Sequence, residues 1–211
     1  MEIAELEAKA RWVRRTVFEM IVNAKKGHLG GSLSCVDIMV ALFYQIMKPE
    51  DVFILSKGHA APVLYAILAD KGYFPKEELM TFNLPKSRLE GHPHIGIPGV
   101  FCNTGSLGNG LGIACGAAMA RPDIKVYVLE GDGECDEGAV YEARNFIIDH
   151  HLTNVVELVD YNGFRATNAV NRTPHETLKG KGVSFMENKA EWHHKIPNTS
   201  EIEQARRELV Y

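Results

Sequence analysis

Apolar residues recur at spacings of three and four through Ile3, Leu6, Ala10, Val13, Val17 and Met20, which predicts an amphipathic helix closed at Gly27. A more apolar run, 36–47 (VDIMVALFYQIM), predicts a second helix stopped by Pro49. A short apolar strand at 53–55 precedes Ser56-Lys57-Gly58-His59 and an Ala-rich helix at 60–71. Positions 74–99 are rich in Pro, Gly and His with one short helix at 76–82, and are too aromatic and apolar for easy disorder. From Gly105 a small-residue helix (LGNGLGIACGAAMA) leads into a strand at 125–130, a helix at 138–151 and a strand at 155–160. Strand, helix and strand over that length make a βαβ unit. Ser200 and Glu203 read as a capping box opening a last helix that runs through Val210. Glu157 interrupts an otherwise apolar strand, so either that strand is an edge or Glu157 has a partner.

The 211 residues suffice for one domain with a substantial core, and 45 % apolar with 24 % charged residues is ordinary for a globular chain. A formal charge of −4 makes no electrostatic case for nucleic acid or an anionic membrane. The longest apolar stretch, 111–120, is too short to cross a bilayer, which needs about 20 residues. The charged, amphipathic N-terminus lacks a signal-peptide core, and Cys35, Cys102, Cys115 and Cys135 show no CxxC spacing. Together these predict reduced thiols in a cytoplasmic protein. Cys135, just past a Gly-Asp-Gly turn, reads as a small polarizable filler.

The candidate chemistry lies at two strand ends. Asp132, flanked by Gly131 and Gly133, follows the strand at 125–130, and Asn162 follows the strand at 155–160. Thirty positions separate them, which is one βαβ unit, so both fall at the carboxyl ends of neighbouring strands where open α/β sheets bind ligands. A carboxylate and a carboxamide oxygen suit Mg²⁺, which takes hard oxygen ligands and shares phosphates. The glycines permit a sharp turn that brings backbone N–H groups to a phosphate, and the helix from Gly138 adds its N-terminal dipole.

GDGECDEG followed by DYNGF resembles the thiamine diphosphate motif of transketolases. Further blocks fall in that family's order: 27–43 (GHLGGSLSCVDIMVALF), 55–68 (LSKGHAAPVLYAIL), 90–100 (EGHPHIGIPGV), 104–120 (TGSLGNGLGIACGAAMA) and 179–198 (KGKGVSFMENKAEWHHKIPN). The resemblance implies an α/β thiamine diphosphate-binding fold with a parallel sheet flanked by helices, a single domain over 1–211. It also implies thiamine diphosphate with Mg²⁺, or Ca²⁺ or Mn²⁺ in its place. By the same resemblance Asp132, Asn162 and the Phe164 carbonyl hold the metal, Gly133 and His59 donate to the diphosphate, Gly131 shapes the turn, and Gly105 and Leu107 pack along the cofactor. His28 and His92 line the substrate channel, His193 sits by the diphosphate and reacting carbons, and Glu137 joins a carboxylate network between subunits. Imidazole, with a pKa near 6.5, can take or give a sugar hydroxyl proton at neutral pH. His94, His150, His151 and His175 lie outside matching positions and default to loop or surface roles. His194 stands where the family's WHGK pattern has Gly.

In transketolases a second domain binds the pyrimidine ring, and this chain has room for only the first. The resemblance therefore implies a two-subunit enzyme, a heterotetramer needing a separate pyrimidine-binding chain and self-association, acting on sugars or sugar phosphates. Only sixteen residues separate Asn162 from Lys179, where the family carries a further crossover, so the domain reads as shortened there. The expected activity is transfer of a two-carbon ketol unit from a ketose to an aldose. The alternatives are a 2-oxoacid-using relative, of the dehydrogenase E1 or 1-deoxyxylulose-5-phosphate synthase type, and a degenerate homologue that binds only a partner.

Overall fold

The computed structural model describes residues 1–165 and 177–209. Three strands, β1 (Val52–Leu55), β2 (Val126–Gly131) and β3 (Val155–Asp160), form a parallel sheet in the order β1-β2-β3. Alternation along the strands divides the core. Phe53, Leu55, Tyr127 and Leu129 point into one apolar cluster, whereas Ile54, Val126 and Val128 point into the other. The first cluster is covered by α1 (Ile3–Ala24), α2 (Leu29–Ser34), α3 (Val36–Ala41) and α4 (Ala61–Asp70). The second is covered by α5 (Asn109–Ala120) and α6 (Gly138–Asp149). The final helix, α7 (Thr199–Glu208), docks on the first cluster through Ala205. The molecule is thus an α/β fold with helices on both faces of a parallel sheet, as expected from its alternating elements.

Several expectations need correction. The first helix ends at Ala24, with Lys25 in the left-handed conformation (φ 53°), two residues before Gly27. Its C-terminal αL position is therefore filled by a Lys, not by the Gly. The run 36–47 is not one α-helix: α3 stops at Ala41 and a π-helical turn, Leu42–Ile46, follows. The segment expected as a helix at 76–82 is a 3₁₀ stretch, Lys76–Thr81. The last helix is capped by Asn198, whose side chain accepts from the Glu201 N–H, while Glu201 reaches back to the Asn198 N–H. Ser200 lies inside the first turn, so the Ser200–Glu203 box does not form; Asn is as strong a cap and comes directly after Pro197. Val210, His175 and most of the short stretch after Asn162 lie outside the described residues.

Glu157 has both features that its position demands. β3 is an outer strand of the described sheet, and the Arg144 guanidinium of α6 grips the Glu157 carboxylate, with Nε 2.8 Å from Oε1. That pair ties α6 to β3 and removes the cost of an unpaired carboxylate.

Candidate functional site

The parallel register sets Gly131 opposite Asp160, so both loops that follow leave the sheet at the same edge. Asp132 and Asn162 sit side by side there. Asp132 Oδ2 accepts from the Gly163 N–H at 2.6 Å, and Oδ1 accepts from the Gly133 N–H at 2.8 Å. Asn162 Oδ1 accepts from the Phe164 N–H at 3.1 Å. Burial, with the Asp160 charge, pushes the Asp132 carboxyl above its ordinary pKa, against the donated Gly163 and Gly133 N–H bonds and the Lys57 charge.

Beneath this turn lies a largely buried polar layer that sequence reasoning missed. Asp160 Oδ2 accepts from Ser34 Oγ at 2.5 Å and from the Lys57 ammonium, and Oδ1 accepts from Thr177 Oγ1 at 2.5 Å. Lys57 also donates to the Gly31 carbonyl at 2.8 Å. Burial opposes the Lys57 charge, yet the Asp160 carboxylate outweighs it and the ammonium is held above its ordinary value. Glu134 is a second buried carboxylate. Its Oε1 accepts from Ser56 Oγ (2.5 Å) and the Gly108 N–H (2.8 Å), and its Oε2 from the Gly131 N–H (3.1 Å). One side chain thereby joins the end of β1, the start of α5 and the end of β2.

Above this layer a cavity of about 420 Å³ opens. It is lined by His28, His59, His92, His193, Glu137, Gly105, Leu107, Gly131, Asp132, Gly133, Asn162 and Phe164, the whole set expected from the sequence. Gly31, Lys57, Glu134, Arg165 and Lys179 also line it. The nearest sequence signals for the missed residues are positional: Lys57 lies between Ser56 and Gly58, Glu134 directly after Gly133, and Lys179 opens the KGKG run. His94, His150 and His151 stay outside; His94 meets the Arg88 carbonyl, and His150 stacks on Phe146 at 3.9 Å.

The histidines form one array. Ring centroids of His28 lie 5.1 Å from His59, 6.5 Å from His92 and 5.3 Å from His193. Burial, then the neighbouring His194 and His92, brings His28 down to about 4; burial and Lys179 bring His193 down to about 3. Burial and Lys57 hold His59 well below its ordinary value. These three imidazoles are neutral near pH 7. Lys179, fully buried, has its Nζ 3.1 Å from His193 Nδ1, and among the described residues no carboxylate pairs with it. Burial and the Lys57 charge bring it down to about 8. A buried ammonium facing neutral rings and open space is a place for an anion.

Two glycines allow close packing beside this space. A Cβ at Gly58 would lie 2.8 Å from the Gly105 backbone nitrogen, and one at Gly105 (φ 145°) would lie 2.9 Å from the His92 ring. The cavity therefore combines oxygen ligands at one strand end, buried cations and a small-residue wall. That donor set fits a diphosphate carried by a hard divalent cation.

The chain belongs to the transketolase family. The family described as transketolase, thiamine diphosphate binding domain, matches residues 6–208. The chain is similar to an apulose-4-phosphate transketolase subunit of Phocaeicola vulgatus, with 35% identity covering 99% of this chain and 95% of that one. That alignment runs over 267 residues against the 211 here, so the relative contains residues without a counterpart. The 6-deoxy-6-sulfo-D-fructose transketolase subunit SqwG of Clostridium sp. is 38% identical, covering 96% of this chain and 80% of that one. Among solved structures, the transketolase of Campylobacter jejuni superposes with a TM-score of 0.90 at 26% identity, covering 99% of this chain and 43% of that one. Among the described residues no helix is long and apolar enough to cross a membrane.

Proposed function

We propose that this chain is the cofactor-binding subunit of a two-subunit transketolase of the cytoplasm, which moves a two-carbon ketol unit from a ketose or its phosphate to an aldose. The convergence of the Asp132–Asn162 pair, buried Lys179 and the neutral histidines on one cavity carries this reading. Relatives named as subunits of apulose-4-phosphate transketolases support the division into two chains. In this reading Asp132, Asn162 and the Phe164 carbonyl hold Mg²⁺. Gly133 and His59 contact the diphosphate, Lys179 supplies countercharge, and Gly105 and Leu107 pack along the cofactor. Bound thiamine diphosphate supplies an electron sink for cleaving the carbon–carbon bond beside a ketose carbonyl.

The chain's own residues then bind and move protons. His28 and His193, neutral at working pH, accept hydrogen bonds from sugar hydroxyls and can take up a hydroxyl proton. His92 at the cavity rim orients the same sugar. Glu137, exposed beside Gly108, meets the partner's carboxylates. The pyrimidine-binding partner packs on the outer face of α5 and α6, where Met119, Tyr141 and Ile148 are exposed and nothing surrounds Gly112 or Gly116. The short spacing of sixteen residues between Asn162 and Lys179 is where this reading places the lost crossover.

The test mixes chain, Mg²⁺, thiamine diphosphate and xylulose 5-phosphate with an aldose, with and without a partner subunit. Turnover is expected only with the partner and is lost in Asp132→Ala. Robust turnover by the isolated chain overturns the division into two chains, pyruvate as the better donor favours the 2-oxoacid reading, and no cofactor binding by the assembled complex favours a degenerate homologue.

A further inference from the structure

We propose that His28, His193 and His194 form a site for a first-row transition metal, Zn²⁺ foremost, at the neck between the inner cavity and an outer one. One ring nitrogen from each of the three lies within 4.8 Å of the others. Tetrahedral zinc with bonds of about 2.0–2.1 Å sets its nitrogens roughly 3.4 Å apart, so closure takes little more than an ångström of side-chain movement. The ring centroids are already close, 4.4 Å for His28–His194 and 4.6 Å for His193–His194.

The placement gives the site both an entry and an effect. His194 is exposed and, with His28 and His92, lines an outer cavity of about 700 Å³. His28 lines both cavities, and His193 lines the inner one. A metal held by this trio stands in the passage and fastens two rings that face the inner cavity. Imidazole selects zinc and its neighbours, whereas the oxygen set at Asp132 and Asn162 selects Mg²⁺ or Ca²⁺. The Lys179 ammonium, 3.1 Å from His193, opposes any dication, which further excludes metals that bind imidazole weakly. His194 stands where the WHGK pattern that this chain resembles has Gly. Metal binding itself does not depend on the cofactor reading; only its consequence, inhibition of ketol transfer, rests on it.

The experiment titrates the full chain with Zn²⁺ against a chromophoric zinc indicator in millimolar Mg²⁺. One Zn²⁺ per chain is expected, with affinity falling at least tenfold in His194→Gly and unchanged in Asp132→Ala. No stoichiometric zinc on the wild type, or full affinity in a folded His194→Gly, overturns the proposal. Loss of zinc in Asp132→Ala overturns it by placing the metal in the oxygen set, and loss in Cys135→Ser does so by placing it with Glu130 and Glu157. Should His194→Gly fail to fold, Co²⁺ on the wild type decides. A four- or five-coordinate nitrogen spectrum without thiolate charge transfer supports the trio, and a thiolate band or a pale octahedral spectrum overturns it.

Discussion

Lys57 and Asp160 are both buried completely, and each depends on the other's charge. Removing one partner strands the second in a low-dielectric interior. Lys57→Met is expected to cost about 3–5 kcal/mol of stability in urea unfolding. Lys57→Met/Asp160→Asn should recover much of that, because the amide keeps polar contacts without an uncompensated charge. A double variant as unstable as the single one shows that charge is not the cause. Glu130 poses the opposite problem. Burial and the nearby Glu134 push its carboxyl up to about 8, and its Oε1 has no hydrogen-bond partner among the described residues. The folded form holds its proton to higher pH than the unfolded chain. This contribution is therefore complete below the ordinary carboxylate pKa and fades as pH rises through about 8. Glu130→Gln, permanently neutral, should gain on the wild type progressively between roughly pH 5 and 9 in thermal melts. A stability difference that stays flat with pH contradicts this origin.

Helix α5 carries one close approach and one open face, so its glycines are not equivalent. A Cβ at Gly110 would come 2.3 Å from Ser56 Oγ and 2.9 Å from the Ser56 backbone, whereas one at Gly116 meets nothing within 4 Å. Gly110→Ala is expected to lose about 1–3 kcal/mol by forcing α5 off the end of β1. Gly116→Ala should gain roughly 0.5–1 kcal/mol in the isolated chain through helix propensity. Equal effects in chemical denaturation refute the distinction. This scale also shows how much the sequence can tell. Strand ends, and with them Asp132 and Asn162, are legible because apolar runs stop at Gly-flanked polar residues. The histidines of the cavity were legible only through the family resemblance, since spacing brings no two of His28, His59, His92 and His193 together. Helix α2 was missed because GHLGGSLS has poor helix propensity, and complete burial of all six α2 residues overrides it. Lys57, Glu134 and Lys179 escaped notice because a buried charge is defined by partners that lie far away in the chain.

Those distances shape the molecule as a whole. The Ser34–Asp160 and Lys57–Asp160 bonds span 126 and 103 positions, and Ser56–Glu134 spans 78. The cavity draws on positions from His28 to His193. No autonomous fragment contains it, and every part waits for a distant one. Long-range closure of this kind slows folding. During synthesis the chain would therefore expose a ligandless, unpaired sheet end until residue 193 has left the ribosome. Cofactor capture is consequently a late event in the life of the polypeptide. In refolding from urea, fluorescence of the buried Trp192 and competence to bind thiamine diphosphate should return with one common rate constant. A binding phase that precedes the Trp192 signal would reveal an earlier, partial site.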